Sequence, residues 1–124
     1  MSMGYNCKGK RVFISGPMTG RPDWNRAEFD RVERELRELG AADIFSPASI
    51  APPMGCDAMP HSYYMARTLN VLTRLDGASV PARPYYDAVA LLDGWWQSDG
   101  ARVERAVAEA MGIDIVEWDE PEYL

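Results

Sequence analysis

The residues with the most chemical character stand in two short stretches. The first reads Ser15-Gly16-Pro17-Met18-Thr19-Gly20-Arg21. Two glycines and a proline shape a tight turn whose backbone amides can approach a ligand, and Ser15, Thr19 and Arg21 add side-chain donors. No Gly-Lys-Ser/Thr follows, and the third glycine of a dinucleotide fingerprint is missing, so neither phosphate-loop pattern applies. An ordinary strand-to-helix connection is the plain alternative. The second stretch runs Asp93-Gly94-Trp95-Trp96-Gln97-Ser98-Asp99-Gly100-Ala101-Arg102-Val103-Glu104. Ser98 and Gly100 stand just before a predicted helix. The amides of a helix's first turn are unpaired, and its dipole favours negative charge there. A phosphate can dock at that point with the Ser98 hydroxyl as an extra donor and Arg102 as cationic partner. Against this, Ser98 or Asp99 can simply cap the helix. At least one of Trp95 and Trp96 can wall a pocket for a flat ring, or both cover the sheet edge. Glu104, beside the apolar Val103, borders the core-facing stripe and can point into a cleft above the strand ends. A carboxylate there suits covalent attack on a sugar C1′, with the helix N-terminus keeping it ionised. A solvated helix glutamate is the competing reading.

Other reactive side chains form no constellation. His61 is the single histidine, and no Cys or second His lies at ligand spacing, so no metal centre is expected and His61 reads as structural or superficial. Ser15 does not sit in a Gly-x-Ser-x-Gly elbow. Tyr63 and Tyr64 read as core and rim of a middle helix. Arg67 either reaches the cleft or is solvated, and Arg26 opens a solvated face of Arg–Glu pairs running to Glu38. Cys7 and Cys56 make no disulfide framework and read as reduced thiols in a cytoplasm.

These stretches need a frame, and the apolar periodicity supplies one. Arg11 to Ser15 is rich in β-formers and ends at Gly16-Pro17. Asn25 reads as a helix N-cap with Glu28 as its capping-box partner; Phe29, Val32, Leu36 and Leu39 follow at helical spacing, and Gly40 ends the helix. Ala42 to Ser46 reads as a second strand, and the proline-rich residues 47–60 as a surface loop. Tyr64, Met65, Leu69, Leu72 and Leu75 carry a second helical stripe, with a loop from Asp76 to Pro84. Asp87 to Leu92 is nearly all apolar, as a strand buried on both faces should be. A third helix puts Val103, Ala106, Val107, Ala110 and Met111 on one face, Gly112 closes it, and Ile113 to Trp118 is the last strand. The alternation predicts an α/β fold: one three-layer, flavodoxin- or Rossmann-like domain with a parallel sheet of four to five strands in order 2-1-3-4 and helices on both faces. Winding then reverses between the first and third strands, and ligands of open α/β sheets bind outside the carboxyl ends of the strands at such a point. Both chemically rich stretches leave those ends.

Composition narrows the partners. The chain has 124 residues, the size of one domain. With 47% hydrophobic and 26% charged residues it can build a packed core. Its formal net charge of −6 argues against a nucleic-acid backbone as partner, since that needs a basic face. No apolar run approaches the ~20 residues that a bilayer requires. Residues 1–10 are polar and lack a secretory core, and an acidic tail is expected over 118–124.

Two segments match a known pattern. Val12-Phe13-Ile14-Ser15-Gly16-Pro17-Met18-Thr19-Gly20, with Pro22-Asp23-Trp24-Asn25 and Phe29, resembles the opening of small phage and bacterial proteins in the nucleoside 2-deoxyribosyltransferase-like superfamily. Leu91-Leu92-Asp93-Gly94-Trp95, then Ser98, Gly100-Ala101 and Glu104, then Ala108 and Gly112, is similar to their second signature, so that the resemblance spans residues 11–117. It implies a domain that binds a nucleoside or nucleotide, needs no cofactor, and assembles into a homo-oligomer. In active relatives a glutamate at the Glu104 position attacks C1′ and displaces the base, and the sugar passes to another base or to water. The resemblance therefore implies a nucleotide N-glycosidase or deoxyribosyltransferase. Nucleoside-specific transferases carry an aspartate six residues before that glutamate, whereas 5′-monophosphate hydrolases carry a serine that meets phosphate; here the residue is Ser98. Gly16, Pro17 and Met18 are expected to line the base and sugar pocket, with Ser15, Thr19, Asp93 and Trp95 as further contacts and Ser98, Gly100 and Arg102 on the phosphate. Two positions depart from the pattern. Phe13 stands where relatives have a tyrosine near the nucleophile, and Thr68 where they have an aspartate on the middle helix. A threonine cannot act as a general acid at neutral pH. These departures support an alternative, a non-catalytic nucleotide-binding or sensing module with the same cleft; a structural protein with a vestigial cleft is a third reading. An extra stretch over residues 77–86 is expected to form a lid or a subunit contact.

Overall fold

Strand β1 (Arg11–Ser15) alternates as a buried strand must: Val12 and Ile14 face one side of the sheet, Phe13 and Ser15 the other. The computed structural model describes residues 5–53 and 56–118; residues 1–4, and the expected acidic tail beyond Trp118, lie outside them. After β1 come α1 (Arg26–Glu38), β2 (Asp43–Phe45), α2 (His61–Leu72), β3 (Leu75–Asp76), β4 (Arg83–Pro84), β5 (Ala88–Leu92), α3 (Asp99–Ala110) and β6 (Asp114–Trp118). Four strands form one parallel sheet in the order β2-β1-β5-β6. With the two short strands set aside, this is the expected 2-1-3-4 order. Phe13 pairs with Val89 and Ser15 with Leu91, so β1 and β5 end side by side.

Each face of the sheet has its own core. On one side Val12, Ile14, Ala90 and Leu92 meet Phe29, Val32 and Leu36 of α1, whose helical spacing puts them in one stripe. On the other, Phe13, Val89 and Leu91 meet Leu72 of α2 and Ala108 of α3. The central strand β5 is buried throughout, hence its unbroken apolar run. The winding reversal falls between β1 and β5, and the loops leaving their carboxyl ends face each other across it.

Several local expectations are corrected. Asn25 precedes α1 but is left-handed (φ 61°) and makes no side-chain cap; Glu28 pairs with Arg31 instead of closing a capping box. Leu39 ends up beyond the helix and exposed, and Leu75 lies in β3, outside the α2 stripe. On α3 the buried residues are Ala101, Glu104 and Ala108, while Val103, Ala106 and Ala110 are exposed. The helix is rotated from the expected face because its core stripe contains a carboxylate, which an apolar count passes over.

The segment expected as a loop from Asp76 to Pro84 forms a small antiparallel pair, β3 with β4. Pro84 is tolerated there because an edge position needs no N–H. The pair is pinned at the amino-terminal edge of the sheet. The Asp76 carboxylate accepts from Arg11 (3.2 Å), Ser79 Oγ (3.2 Å) and the Ala78 amide (3.0 Å). Arg11 and Arg74 lie 4.3 and 3.8 Å from the Tyr85 ring centroid, and the Tyr85 hydroxyl donates to Asp43. So anchored, residues 77–86 are no lid over the opposite edge.

Candidate functional site

The site lies at the carboxyl ends of the strands, where β1, β2 and β5 hand over to their loops and α2 and α3 begin. Two hollows meet there. An inner cavity of about 70 Å³ has Glu104 and Thr68 among mainly apolar neighbours: Met18, Trp24, Pro47, Ile50, Pro52 and Met65. An outer basin of about 520 Å³ is lined by Pro17, Arg21, Gln97 and Asp99. Thr19, His61, Ser98 and Gly100 border both, so the two form one cleft with an apolar interior and a polar mouth.

Glu104 is the chemical centre. Counting from Asp99, it falls in the second turn of α3, on the stripe shared by Ala101 and Ala108, and that stripe packs onto the sheet. Its carboxylate Oε1 accepts a hydrogen bond of 2.6 Å from Ser15 Oγ, while the nearby Thr68 hydroxyl donates to the Met65 carbonyl at 3.4 Å and is close enough to favour the charged form of Glu104. Burial pushes the Glu104 carboxyl above the ordinary glutamate range, and the Ser15 and Thr68 hydroxyls pull it part of the way back. The expected help from the helix N-terminus is not among the causes of this shift. The dipole effect fades within the first turn, and Glu104 lies beyond it, so loss of water dominates.

The first loop is tightly fastened. A Cβ on Gly16 would lie 2.7 Å from Leu92 Cβ, so only glycine lets the chain leave β1 this close to β5. Three consecutive non-glycine residues then take left-handed conformations: Asp23 (φ 46°), Trp24 (φ 58°) and Asn25 (φ 61°). Such a conformation costs roughly 1–2 kcal/mol per residue, so the neighbours must hold it. Asn25 Nδ2 donates to the Pro17 carbonyl at 3.0 Å. Arg26 reaches the Asp23 carboxylate (3.3 Å) and the carbonyls of Ala48 (2.8 Å) and Pro52 (3.0 Å). Arg26 is therefore not on a solvated face as expected; it ties the loop after β2 to the start of α1. Trp24, presented by this turn, lines the cavity.

On the other wall, Ser98 caps α3 by accepting from the Ala101 amide at 3.2 Å. Its hydroxyl proton stays available to a ligand, so capping and anion binding are compatible. A Cβ on Gly100 would lie 3.2 Å from Met65 Sδ and 3.8 Å from His61 Cε1, which shows how closely the starts of α2 and α3 approach.

Of the expected contacts, Gly16, Met18, Thr19, Ser98, Gly100 and Glu104 come together in the cavity, and Pro17 joins Thr19, Ser98 and Gly100 in the basin. Ser15 does not meet the cleft: it is fully buried and its hydroxyl is engaged by Glu104. Asp93 is exposed and lines neither hollow. Trp95 turns toward β6, its indole N–H donating to Glu117 at 3.1 Å under the Arg105 guanidinium. Arg102 is exposed, paired with Asp99, and lines neither hollow. Arg67 pairs with the Tyr63 hydroxyl at 2.9 Å and lines neither hollow. Residues not expected at the site take their places: Trp24, Met65, the prolines of the loop after β2, and His61, expected to be structural or superficial. The clue for Trp24 was a large aromatic between two polar residues just before a helix. For the prolines it was their number in one connection.

Among the described residues no group of three or more His, Cys, Asp or Glu side chains could hold a metal, and no helix is long and apolar enough to cross a membrane. Cys7 is buried, Cys56 exposed, and both are free thiols. Residues 10–117 match the family described as a domain of unknown function (DUF4406), and with most of its length matched the chain belongs to that family. No curated protein and no solved structure matches the chain.

Proposed function

We propose that this DUF4406 protein acts on the N-glycosidic bond of a nucleoside 5′-monophosphate, with Glu104 as the nucleophile. The observation that carries this reading is a buried carboxylate, hydrogen-bonded from behind by Ser15, at the inner end of a cleft whose mouth gathers anion donors. The similarity of both loops to the nucleoside 2-deoxyribosyltransferase-like superfamily supports it, as does Ser98 at the phosphate-associated position. In this scheme the phosphate sits at the start of α3, near the Ser98 hydroxyl and the Gly100 amide, with Arg21 and His61 lining the same basin. Arg21 takes the role first given to Arg102. The sugar lies against Glu104. A carboxylate oxygen bonds to C1′ while the C1′–N bond breaks, and the base leaves with the electron pair and takes a proton from water. Water then attacks C1′, releasing the sugar phosphate and the carboxylate; a second base in place of water gives the transferase form.

Ser15 answers the loss of the tyrosine hydroxyl at Phe13. Phe13 is buried in the core, stacked on Phe45 at 5.1 Å and edge-on to Tyr86 at 5.7 Å, while the next residue on the same face of β1 supplies the hydroxyl. Thr68 favours the second reading, a binding module without turnover, because no carboxylic acid stands there to protonate the leaving base. Incubation with a panel of ribo- and deoxynucleoside monophosphates, with free base measured by chromatography, separates the two. Base release that Glu104→Gln abolishes supports the enzyme. A nucleotide-induced rise in Tm without base release, even at high protein concentration, supports the module.

A further inference from the structure

We infer that Trp24 is the stacking wall for the flat heteroaromatic ring of the ligand, and that the left-handed turn over Asp23, Trp24 and Asn25 exists to present it. The inference deepens the reading above, because it rests on the cleft taking a molecule with a ring at one end and a phosphate at the other. Polarity sorts those ends. Anion donors gather at the mouth, whereas the interior around Glu104 is mostly apolar, so the ring belongs inside. Trp24 and Tyr64 are the aromatic residues that line this interior. The Tyr64 hydroxyl accepts from the Met59 amide at 2.9 Å, and its ring packs edge-on against Tyr63. The half-buried Trp24, by contrast, has no aromatic neighbour and no partner for its indole N–H among the described residues. The other tryptophans are all engaged: Trp118 donates to Glu35, Trp95 donates to Glu117, and Trp96 packs edge-on to Trp95.

Backbone strain points the same way. Three adjacent left-handed residues without a glycine are costly, and relaxation to right-handed geometry would re-aim Trp24. Asn25 and Arg26 hold the turn against that relaxation while fastening it to both cavity walls. Fold stability alone does not call for a half-buried tryptophan there. The cavity opens into the basin through the residues that the two share, so a ring can reach it from the mouth. A nucleobase that enters from the basin rests against the face of Trp24.

The test titrates wild type, Trp24→Leu and Trp24→Phe with the four deoxynucleoside 5′-monophosphates, the four free bases, and 2-deoxyribose 5-phosphate as a ring-free control. Affinity is read by calorimetry and tryptophan emission by fluorescence. Trp24→Leu is expected to weaken binding of the nucleotides and of the bases by about tenfold or more while leaving the sugar phosphate within about twofold. Trp24→Phe is expected to bind within about threefold of wild type, and the ligand-induced change in emission is expected to vanish in it. Unchanged base affinity in Trp24→Leu, or an equal loss for the sugar phosphate, overturns the stacking role and leaves the glycosidic reading intact. Base binding that depends on Trp24, in a protein that cleaves no nucleotide, overturns the glycosidic reading and keeps the wall. A wild type that binds neither nucleotides nor bases overturns both.

Discussion

Ser15 Oγ lies 2.6 Å from Glu104 Oε1, joining the last residue of β1 to the second turn of α3. The two residues are 89 positions apart in the chain, and neither pattern of apolar spacing anticipates their contact. The bond needs β1 and β5 side by side, because only then does a helix leaving β5 lie over the end of β1. The fold thus fixes the direction of the carboxyl group, and the hydroxyl fixes its rotamer. Ser15 holds the carboxyl group from the side of the sheet, and Glu104 lines the cavity with Thr68 beside it.

Replacing Ser15 by Ala removes one of the two hydroxyls that hold the charged form of Glu104. The remaining Thr68 cannot supply both bonds. The variant is expected to lose about 1–3 kcal/mol in urea-induced unfolding. Its Glu104 is expected to titrate at still higher pH, so the acid limb of any base-release profile moves upward. An unshifted limb would show that Ser15 only fills space.

The raised Glu104 carboxyl gives the protein a pH signature. Burial favours the protonated form in the folded state, so the folded pKa lies above the unfolded value of ~4.3. The folded state then binds more protons than the unfolded state across that interval. The stabilisation linked to Glu104 is full below the unfolded pKa and is lost as pH rises through the folded one. Glu104→Gln stays neutral and accepts the same Ser15 hydrogen bond, so its urea midpoint is expected to lack this decline. With Glu104 as nucleophile, the same variant is expected to lower base release by at least ~10³-fold. Parallel midpoints for both proteins across the acid range would contradict the burial argument.

Gly16 is expected to be intolerant for a steric reason alone. An added Cβ would stand 2.7 Å from Leu92 Cβ, an atom close to its own backbone on the fully buried β5. Overpacking of this kind typically costs ~1–3 kcal/mol. Gly16→Ala should therefore lower Tm measurably even with no ligand present, and an unchanged Tm would mean that β1 and β5 can separate at that end.

How much of this was legible in the sequence follows from what each signal measures. The parallel sheet was readable because Val12 to Ile14 and Ala88 to Leu92 are short apolar runs set between helical stripes, and connection rules leave few orders for such strands. The position of the cleft followed from the order. The face of α3 did not, because periodicity counts apolar residues and the stripe is completed by Glu104. The turn before α1 was hidden by the ordinary look of Pro22-Asp23-Trp24-Asn25. Its left-handed geometry is imposed by partners such as Pro17, Ala48 and Pro52, which only the tertiary structure brings near. Arg102 misled for a related reason: a charge at a helix start can pair within its own turn, and here Asp99 takes it.

Gly100 separates function from stability in the opposite sense to Gly16. It lies in the first turn of α3, where alanine is the better helix former by up to ~1 kcal/mol. Its added Cβ would approach Met65 Sδ at 3.2 Å, and Met65 is a long side chain able to move aside. The fold therefore tolerates Gly100→Ala, and Tm is expected to hold or rise. The same methyl group, with the displaced Met65, would intrude on the neck shared by cavity and basin, which the proposed function gives to the sugar phosphate. Nucleotide affinity measured by calorimetry is expected to fall by about tenfold or more while Tm does not fall. Equal affinity in the two proteins would mean that the neck does not carry the ligand, and the phosphate position at the start of α3 would have to be abandoned.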